Sequence, residues 1–236
     1  IHDMDSSFGI SSGDIALNTL ALATAENGPD WPNPEWSTLI LRRLLENNSF
    51  KNDFINRFAD LMNTYFKTDR VVAKINAMKT VLQPEMPKQF ERWKAPVDFG
   101  DWNYFLNEEI AFAQQRPGYQ RQHIKDEFGI SNTINTVLNV SNENHGYVKI
   151  NTIDILPTTP GVASNPYPWT GVYFSNIPVK LKAIANPGFV FSHWTGASSS
   201  TNAEITVTSA ANFNVTAVFV AETIATSQPI YYWMMN

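Results

Sequence analysis

The sequence predicts an α+β protein, with a helical first half and a small all-β second half. Three observations carry this expectation. Residues 1–135 hold 14 Lys+Arg and 18 Asp+Glu, whereas residues 136–236 hold 3 and 4, a composition shift that marks a domain boundary. Apolar residues recur at helical spacing before that boundary and alternate with polar ones after it. Pro, Gly and Asn clusters then punctuate the chain at about 8–12-residue intervals. The predicted division is a helical region over 1–135, a β module over 140–222, and a linker or the start of a further domain over 223–236.

In the first half, Ser37 is placed to cap a helix through Leu39, Ile40, Leu41, Leu44 and Leu45. Phe50, Phe54, Phe58, Leu61 and Tyr65 form a second stripe, and Val71, Ile75, Met78 and Leu82 a third, which stops near Pro84. Trp102, Phe105, Leu106, Ile110 and Ala113 form a fourth. Pro117 suits the first turn of a last, separate helix that runs through Ile124 to Phe128 and is capped by Gly129. In the second half, strands are expected around Val148–Thr152, Val179–Ala183, Ile205–Val207 and Val215–Phe219. The core of this module is expected to rest on Phe189, Phe191, Trp194 and Phe219. The apolar run Ile230–Met235 is expected to dock on something or lead into a further domain.

Composition excludes several classes. The net charge of −5 argues against a nucleic-acid binder. No run of about 18 apolar residues exists to cross a membrane as a helix. The absence of Cys removes disulfides and thiolate metal sites.

The candidate chemistry is concentrated in His2-Asp3-Met4-Asp5-Ser6-Ser7-Phe8-Gly9. Two carboxylates roughly 4 Å apart repel by about 4 kcal/mol at an effective dielectric of about 20. A folded site tolerates them when a cation sits between them or one is protonated. Mg²⁺ takes one or two carboxylates together with phosphate and water, and a solvated acidic turn is the alternative. Arg42, Arg43 and Lys51 could reach a phosphate, and Trp31, Trp36 and Trp102 could stack a base or sugar, although such residues more often face solvent or fill a core. The four histidines lie far apart in sequence, which disfavours zinc, and His193 reads as a surface or edge residue.

The first half resembles the spore-coat CotH kinase family. The resemblance rests on His2–Gly9, on Leu41-Arg42-Arg43-Leu44-Leu45-Glu46-Asn47-Asn48-Ser49-Phe50-Lys51, on Phe54 through Phe66, and on Arg116-Pro117-Gly118-Tyr119. It implies an atypical kinase-like fold that phosphorylates protein, with Asp3 and Asp5 as metal-binding acids at an ATP site. His2 stands where the family pattern has Trp. The second half resembles a divergent bacterial, InlB-type B-repeat module, through Gly146–Asn151, Ile177–Ala183, Pro187–Gly196, Ile205–Thr208 and Val215–Phe219. That likeness implies a small β-grasp-like sheet used as a spacer or adhesive unit.

Together these likenesses imply an exported or cell-surface multidomain bacterial protein, in which residues 1–135 are the helical C-terminal part of a CotH-like kinase domain and a β spacer follows. The intact parent would use Mg²⁺ and ATP on a protein substrate, and the fragment alone would be inactive and hold no cofactor tightly. The alternative is a non-catalytic surface scaffold or adhesion protein with a degenerate CotH domain. A third reading is carbohydrate binding by the β module through Trp169 or Tyr173.

Overall fold

The protein is described from a computed structural model, which covers Phe8, residues 14–26 and residues 35–223. The expectations for His2, Asp3, Asp5, Trp31 and the run Ile230–Met235 fall outside these residues.

The first half is helical. α1 spans Thr19–Thr24, α2 Glu35–Leu45, α3 Asn48–Asn63 and α4 Thr68–Leu82. A 3₁₀ turn over Gln83–Glu85 leads into α5, Met86–Trp93, and α6 spans Phe99–Phe128. The 3.6-residue stripes located α2, α3 and α4, whereas α1 and α5 were not predicted. Asn47 caps α3 by accepting from the Ser49 and Phe50 N–H groups at 2.9 and 3.1 Å. α2 begins ahead of Ser37, so the expected cap is an interior residue. Gly129 ends α6 at φ 63°, and the Ile130 N–H returns to the Lys125 carbonyl at 2.9 Å, as a glycine C-cap should.

The expected break at Pro117 is absent, because Pro117 lies inside the continuous α6. Proline has no N–H to give the carbonyl four residues earlier, which leaves the Ala113 carbonyl short of its helical donor. Thr68, at the start of α4, supplies one: its Oγ1 donates to the Ala113 carbonyl at 3.1 Å. The substitute donor lies 45 residues away in sequence.

The second half is β. β1 spans Thr133–Val140, β2 Gly146–Ile150, β3 Ile153–Asp154 and β4 Trp169–Phe174. β5 spans Val179–Ala185, β6 Phe189–Gly196, β7 Glu204–Val207 and β8 Phe213–Ala221. They form two four-stranded sheets, ordered β4-β1-β8-β6 and β3-β2-β5-β7. β1 and β8 run parallel, and the other pairs are antiparallel. Strict alternation in β2 and β5 buries Val148, Ile150, Val179, Leu181 and Ala183 while their lysines face outward. Trp194 and Phe219 are buried in the core as expected; Phe189 and Phe191 are only half-buried. Phe174 and Ile155, which the sequence did not single out, and Tyr173, which it offered as an exposed binding ring, are almost completely buried. His193 lies on β6, an edge strand.

The two halves share one core. Ile55, Ala59 and Met62 of α3 and Ile124 of α6 belong to the same buried cluster as the inward residues of both sheets. Through this apolar contact runs a polar row on α3, Asn56, Asp60 and Asn63, at the i, i+4, i+7 spacing of one helix face. Asn56 Nδ2 donates to the Pro178 carbonyl at 2.7 Å. The Asn63 side-chain amide pairs twice with Val172 of β4, donating at 2.9 Å and accepting at 3.0 Å. It thereby acts as one peptide unit against the free edge of that strand.

Asp60 is fully buried. Its carboxylate accepts from Tyr173 Oη at 2.8 Å, Asn151 Nδ2 at 3.1 Å, Thr152 Oγ1 at 2.7 Å and the Thr152 N–H at 3.2 Å. Asn151, at φ 45°, turns β2 into β3. The loop after β3 also reaches the helix: a Cβ on Gly161, at φ 85°, would collide with the Thr64 backbone.

Several large apolar side chains of the helical half stay more than half exposed among the described residues: Trp36, Ile40, Met78, Val81, Trp93 and Tyr104.

Two outcomes test the buried carboxylate. Asp60→Ala strands four donors, and each buried group left unmatched costs about 1–3 kcal/mol, so urea unfolding should show a loss of at least about 3 kcal/mol; a loss under about 1 kcal/mol would refute the assigned role. The second test is pH. Burial raises the Asp60 pKa above its usual 3.8, against the opposing hydrogen bonds from Asn151, Thr152 and Tyr173. A carboxyl with a raised folded pKa costs the fold nothing below its unfolded pKa, and the penalty grows as pH rises through the folded value. Relative to Asp60→Asn, the wild type should therefore lose stability as pH rises from below 3.8 and then level off. The opposite slope would show that hydrogen bonding outweighs burial.

Candidate functional site

The acidic pair Asp3 and Asp5 lies outside the described residues; of its motif, Phe8 is described. Phe8, three residues after Asp5, takes the left-handed backbone at φ 57°. Its ring meets Phe112 of α6 at 5.4 Å between centroids. Both rings line an apolar cleft of about 320 Å³ with Phe58, Leu61, Phe66 and Val71.

Arg116 sits one helical turn beyond Phe112 at the edge of the same cleft. Its Nη1 donates to the carbonyls of Ile15 and Leu17 at 2.9 and 2.6 Å. Its Nη2 donates to Thr19 Oγ1 at 3.2 Å and Gln120 Oε1 at 3.3 Å. The guanidinium carbon lies 5.8 Å from the Phe112 ring centroid. Burial lowers the Arg116 pKa and the nearby Asp14 carboxylate opposes it, and a guanidinium remains charged under such shifts. Two turns further on, His123 is buried and stacked on Tyr119 at 6.5 Å. Burial and the Arg116 charge lower its pKa, so it favours the neutral form. Within the motif Arg116-Pro117-Gly118-Tyr119, Arg116 thus holds the segment from Ile15 to Thr19.

The other candidates divide. Arg42, Arg43 and Lys51 do converge, on a surface cleft of about 380 Å³. Three carboxylates, Glu26, Glu46 and Glu127, line the same cleft. Arg43 is paired with Glu46 at 2.7 Å, and Arg42 Nε donates to Thr38 Oγ1 at 3.2 Å. Trp102 is buried as a packing residue against Phe99, whereas Trp36 is exposed. Trp169 and Tyr173 are both buried, and the Tyr173 hydroxyl is taken by Asp60. That removes the carbohydrate reading that rested on their rings. Among the described residues, no group of three His, Cys, Asp or Glu side chains is placed to hold a metal, and no helix is long and apolar enough to cross a membrane.

The model of the CotH kinase protein family matches residues 1–120, half of the chain. This chain belongs to the CotH family. The model of the divergent InlB B-repeat domain matches residues 151–223. No curated protein and no solved structure matches the chain. The CotH match ends inside α6, shortly after the Arg116–Tyr119 motif, and so includes the acidic pair, α3 and the Arg116 contacts. The B-repeat match opens at the Asn151 turn that meets Asp60. Sequence reasoning quoted Asp60 and Arg116 only as parts of family motifs. The polar i, i+4, i+7 row on an otherwise apolar helix was the available signal for Asp60; for Arg116 the signal is not local, because three of its four partners lie about 100 residues earlier.

Because the Arg42–Arg43–Lys51 cleft is balanced by carboxylates, millimolar inorganic phosphate at low ionic strength should leave the melting temperature unchanged. A rise that Lys51→Gln abolishes would make the cleft an anion site instead.

Proposed function

We propose that this CotH chain contributes the metal-binding acidic pair and a helical part of a kinase-like fold to an ATP- and Mg²⁺-dependent protein kinase. The observation that carries this reading is the family match over residues 1–120, which contains Asp3 and Asp5. Within it, His2–Gly9, Leu41–Lys51, Phe54–Phe66 and Arg116–Tyr119 occur in the family's order. Phosphoryl transfer depends on positioning and charge stabilisation, with a cation bridging the phosphates. Asp3 and Asp5 would hold that Mg²⁺, and a protein hydroxyl would be the acceptor. The B-repeat match supports an extracellular or cell-surface setting. The β-grasp likeness draws support from the sheet β4-β1-β8-β6, whose two central strands are parallel and whose outer pairs are antiparallel.

A second reading is a non-catalytic surface scaffold or adhesion protein. The observation favouring it is the shared core and the Asp60 network, which join the β region to α3 as a mechanical unit.

Mg-ATP titration of the full-length protein, by calorimetry, separates the two. The kinase reading expects Asp3→Asn and Asp5→Asn each to weaken Mg-ATP binding about tenfold or more, within the range of about 10–100-fold seen when the support of a metal site is disturbed. Unchanged affinity in both variants would remove these residues from the site and leave the scaffold.

A further inference from the structure

We propose that His123 makes the seat of α1 on α6 sensitive to pH: the stretch 14–24 is held while the imidazole is neutral and released when it is protonated. Arg116 and His123 stand at i, i+7 on one face of α6. Both meet the same short stretch of chain. Arg116 takes the Ile15 and Leu17 carbonyls at 2.9 and 2.6 Å, and the His123 ring faces the Ala16 carbonyl between them. Leu20 of α1 completes the seat as a buried member of the shared core. The stretch has few other holds of its own, since α1 is six residues long and its cap is the Asn18 side chain accepting from the Ala21 N–H. A segment held by so few contacts opens locally at far lower cost than the fold as a whole.

The surroundings of the ring suit the neutral form alone. His123 is 8% exposed, and its Nδ1 is buried without a hydrogen-bond partner. A neutral imidazole has one bare nitrogen and one N–H. With Nδ1 bare, only a lone pair goes unmatched, and Nε2–H is left for the Ala16 carbonyl. Protonation turns Nδ1 into a buried donor with no acceptor. It also sets a second cation near Arg116, which cannot give up its own charge. Two carboxylates act the other way: Asp126 on α6, already bonded by Gln122 at 2.6 Å, and Asp14 ahead of α1. α1 itself carries no charged side chain. Burial and Arg116 outweigh both carboxylates and lower the His123 pKa from 6.5. Opening the seat gives the ring to water and relieves both penalties. A base whose pKa is lower in the closed form than in the open one binds more protons when open. The closed seat is therefore fully stable above 6.5 and weakens as pH falls from there through the closed-form value. Release also frees the Arg116 fork, at the rim of the apolar cleft, from the carbonyls of Ile15 and Leu17.

The test is amide hydrogen exchange on the intact chain, corrected for the intrinsic effect of pH, with the His123 ring titrated in parallel by NMR. The reporters are the Leu22 and Ala25 amides, which donate to the Asn18 and Ala21 carbonyls. Each unit by which the closed-form pKa lies below the open-form value makes opening up to about tenfold more favourable in acid. Protection of these amides should therefore fall by at least about threefold between about pH 7.5 and about pH 5, while amides of α3 and of both sheets keep theirs. His123→Gln retains a donor for Ala16 but has no titrating nitrogen, so its protection should stay nearly level over the same range. In the wild type the ring should titrate below 6.5 and be protonated at Nε2 when neutral. Should His123→Gln fail to fold, the wild-type exchange and ring titration carry the test. Protection of Leu22 and Ala25 that does not change with pH overturns the proposal. So does an equal loss in His123→Gln, which would assign the effect to Asp14 or Asp126, and so does a ring that titrates at or above 6.5. A loss shared by α3 and the sheets would be general acid unfolding and would also overturn it.

Discussion

The structure turns on a buried carboxylate. Asp60 projects from α3 into the junction with the β region and receives hydrogen bonds from the β2–β3 turn and from β4. Burying a charge without partners is prohibitive, and a partly satisfied network is worse than an apolar contact. The site is tenable because four donors are aimed at two oxygens. Each donor requires its own backbone geometry: a left-handed Asn151, a Thr152 placed immediately after it, and a Tyr173 facing inward from β4. The carboxylate therefore selects one register between helix and sheets, where apolar packing alone would allow sliding. Tyr173 is held in its neutral, donating form, since burial and the adjacent Asp60 both raise its pKa.

This network crosses the boundary between the two family matches. Asp60 lies in the CotH region, while Asn151, Thr152 and Tyr173 lie in the B-repeat region. A module that merely followed the helices on a tether would have its own core and a wet, polar contact with its neighbour. Here Ile55, Ala59 and Met62 join the sheet residues in one buried cluster, Asn63 covers the β4 edge, and Gly161 admits the Thr64 backbone. Perturbation of the β2–β3 turn reaches α3 directly. The opposite side of α3 contributes Phe58 and Leu61 to the apolar cleft that also contains Phe8. A single helix thus touches both the β region and the cleft that contains Phe8.

What the sequence disclosed follows the range of the forces involved. Local periodicity located α2, α3, α4, β2, β5, β7 and β8, because the 3.6- and 2-residue repeats are written within each element. Gly129 could be read as a cap because the left-handed turn it allows is a property of one residue. Pro117 was misread for the complementary reason. Proline is a local breaker, but the donor it lacks is replaced by Thr68, a partner that only the folded chain brings near. β4 was hidden by its short Trp-Thr-Gly-Val-Tyr-Phe run, which reads equally as a loop beside Pro168. The candidate site was legible as a motif in Asp3 and Asp5, whereas the Arg116 contacts to Ile15, Leu17 and Thr19 were not. Arg116 works through main-chain carbonyls, which have no sequence identity to detect.

The Thr68 contact then acquires a meaning beyond helix continuity. Phe112 and Arg116 lie just ahead of Pro117, and Gln120 and His123 lie just after it. Had α6 broken at the proline, the two halves would present different faces, and Gln120 would not stand beside Arg116 to accept from its Nη2. Nor would the buried His123 meet the segment near Ala16 while Arg116 holds Ile15 and Leu17. One hydroxyl at the start of α4 completes the Ala113 carbonyl, the completed helix keeps these residues in line, and that line is what the chain after the acidic pair rests on. The proline is tolerated where the helix has most to organise, because a neighbouring helix supplies the donor it lacks.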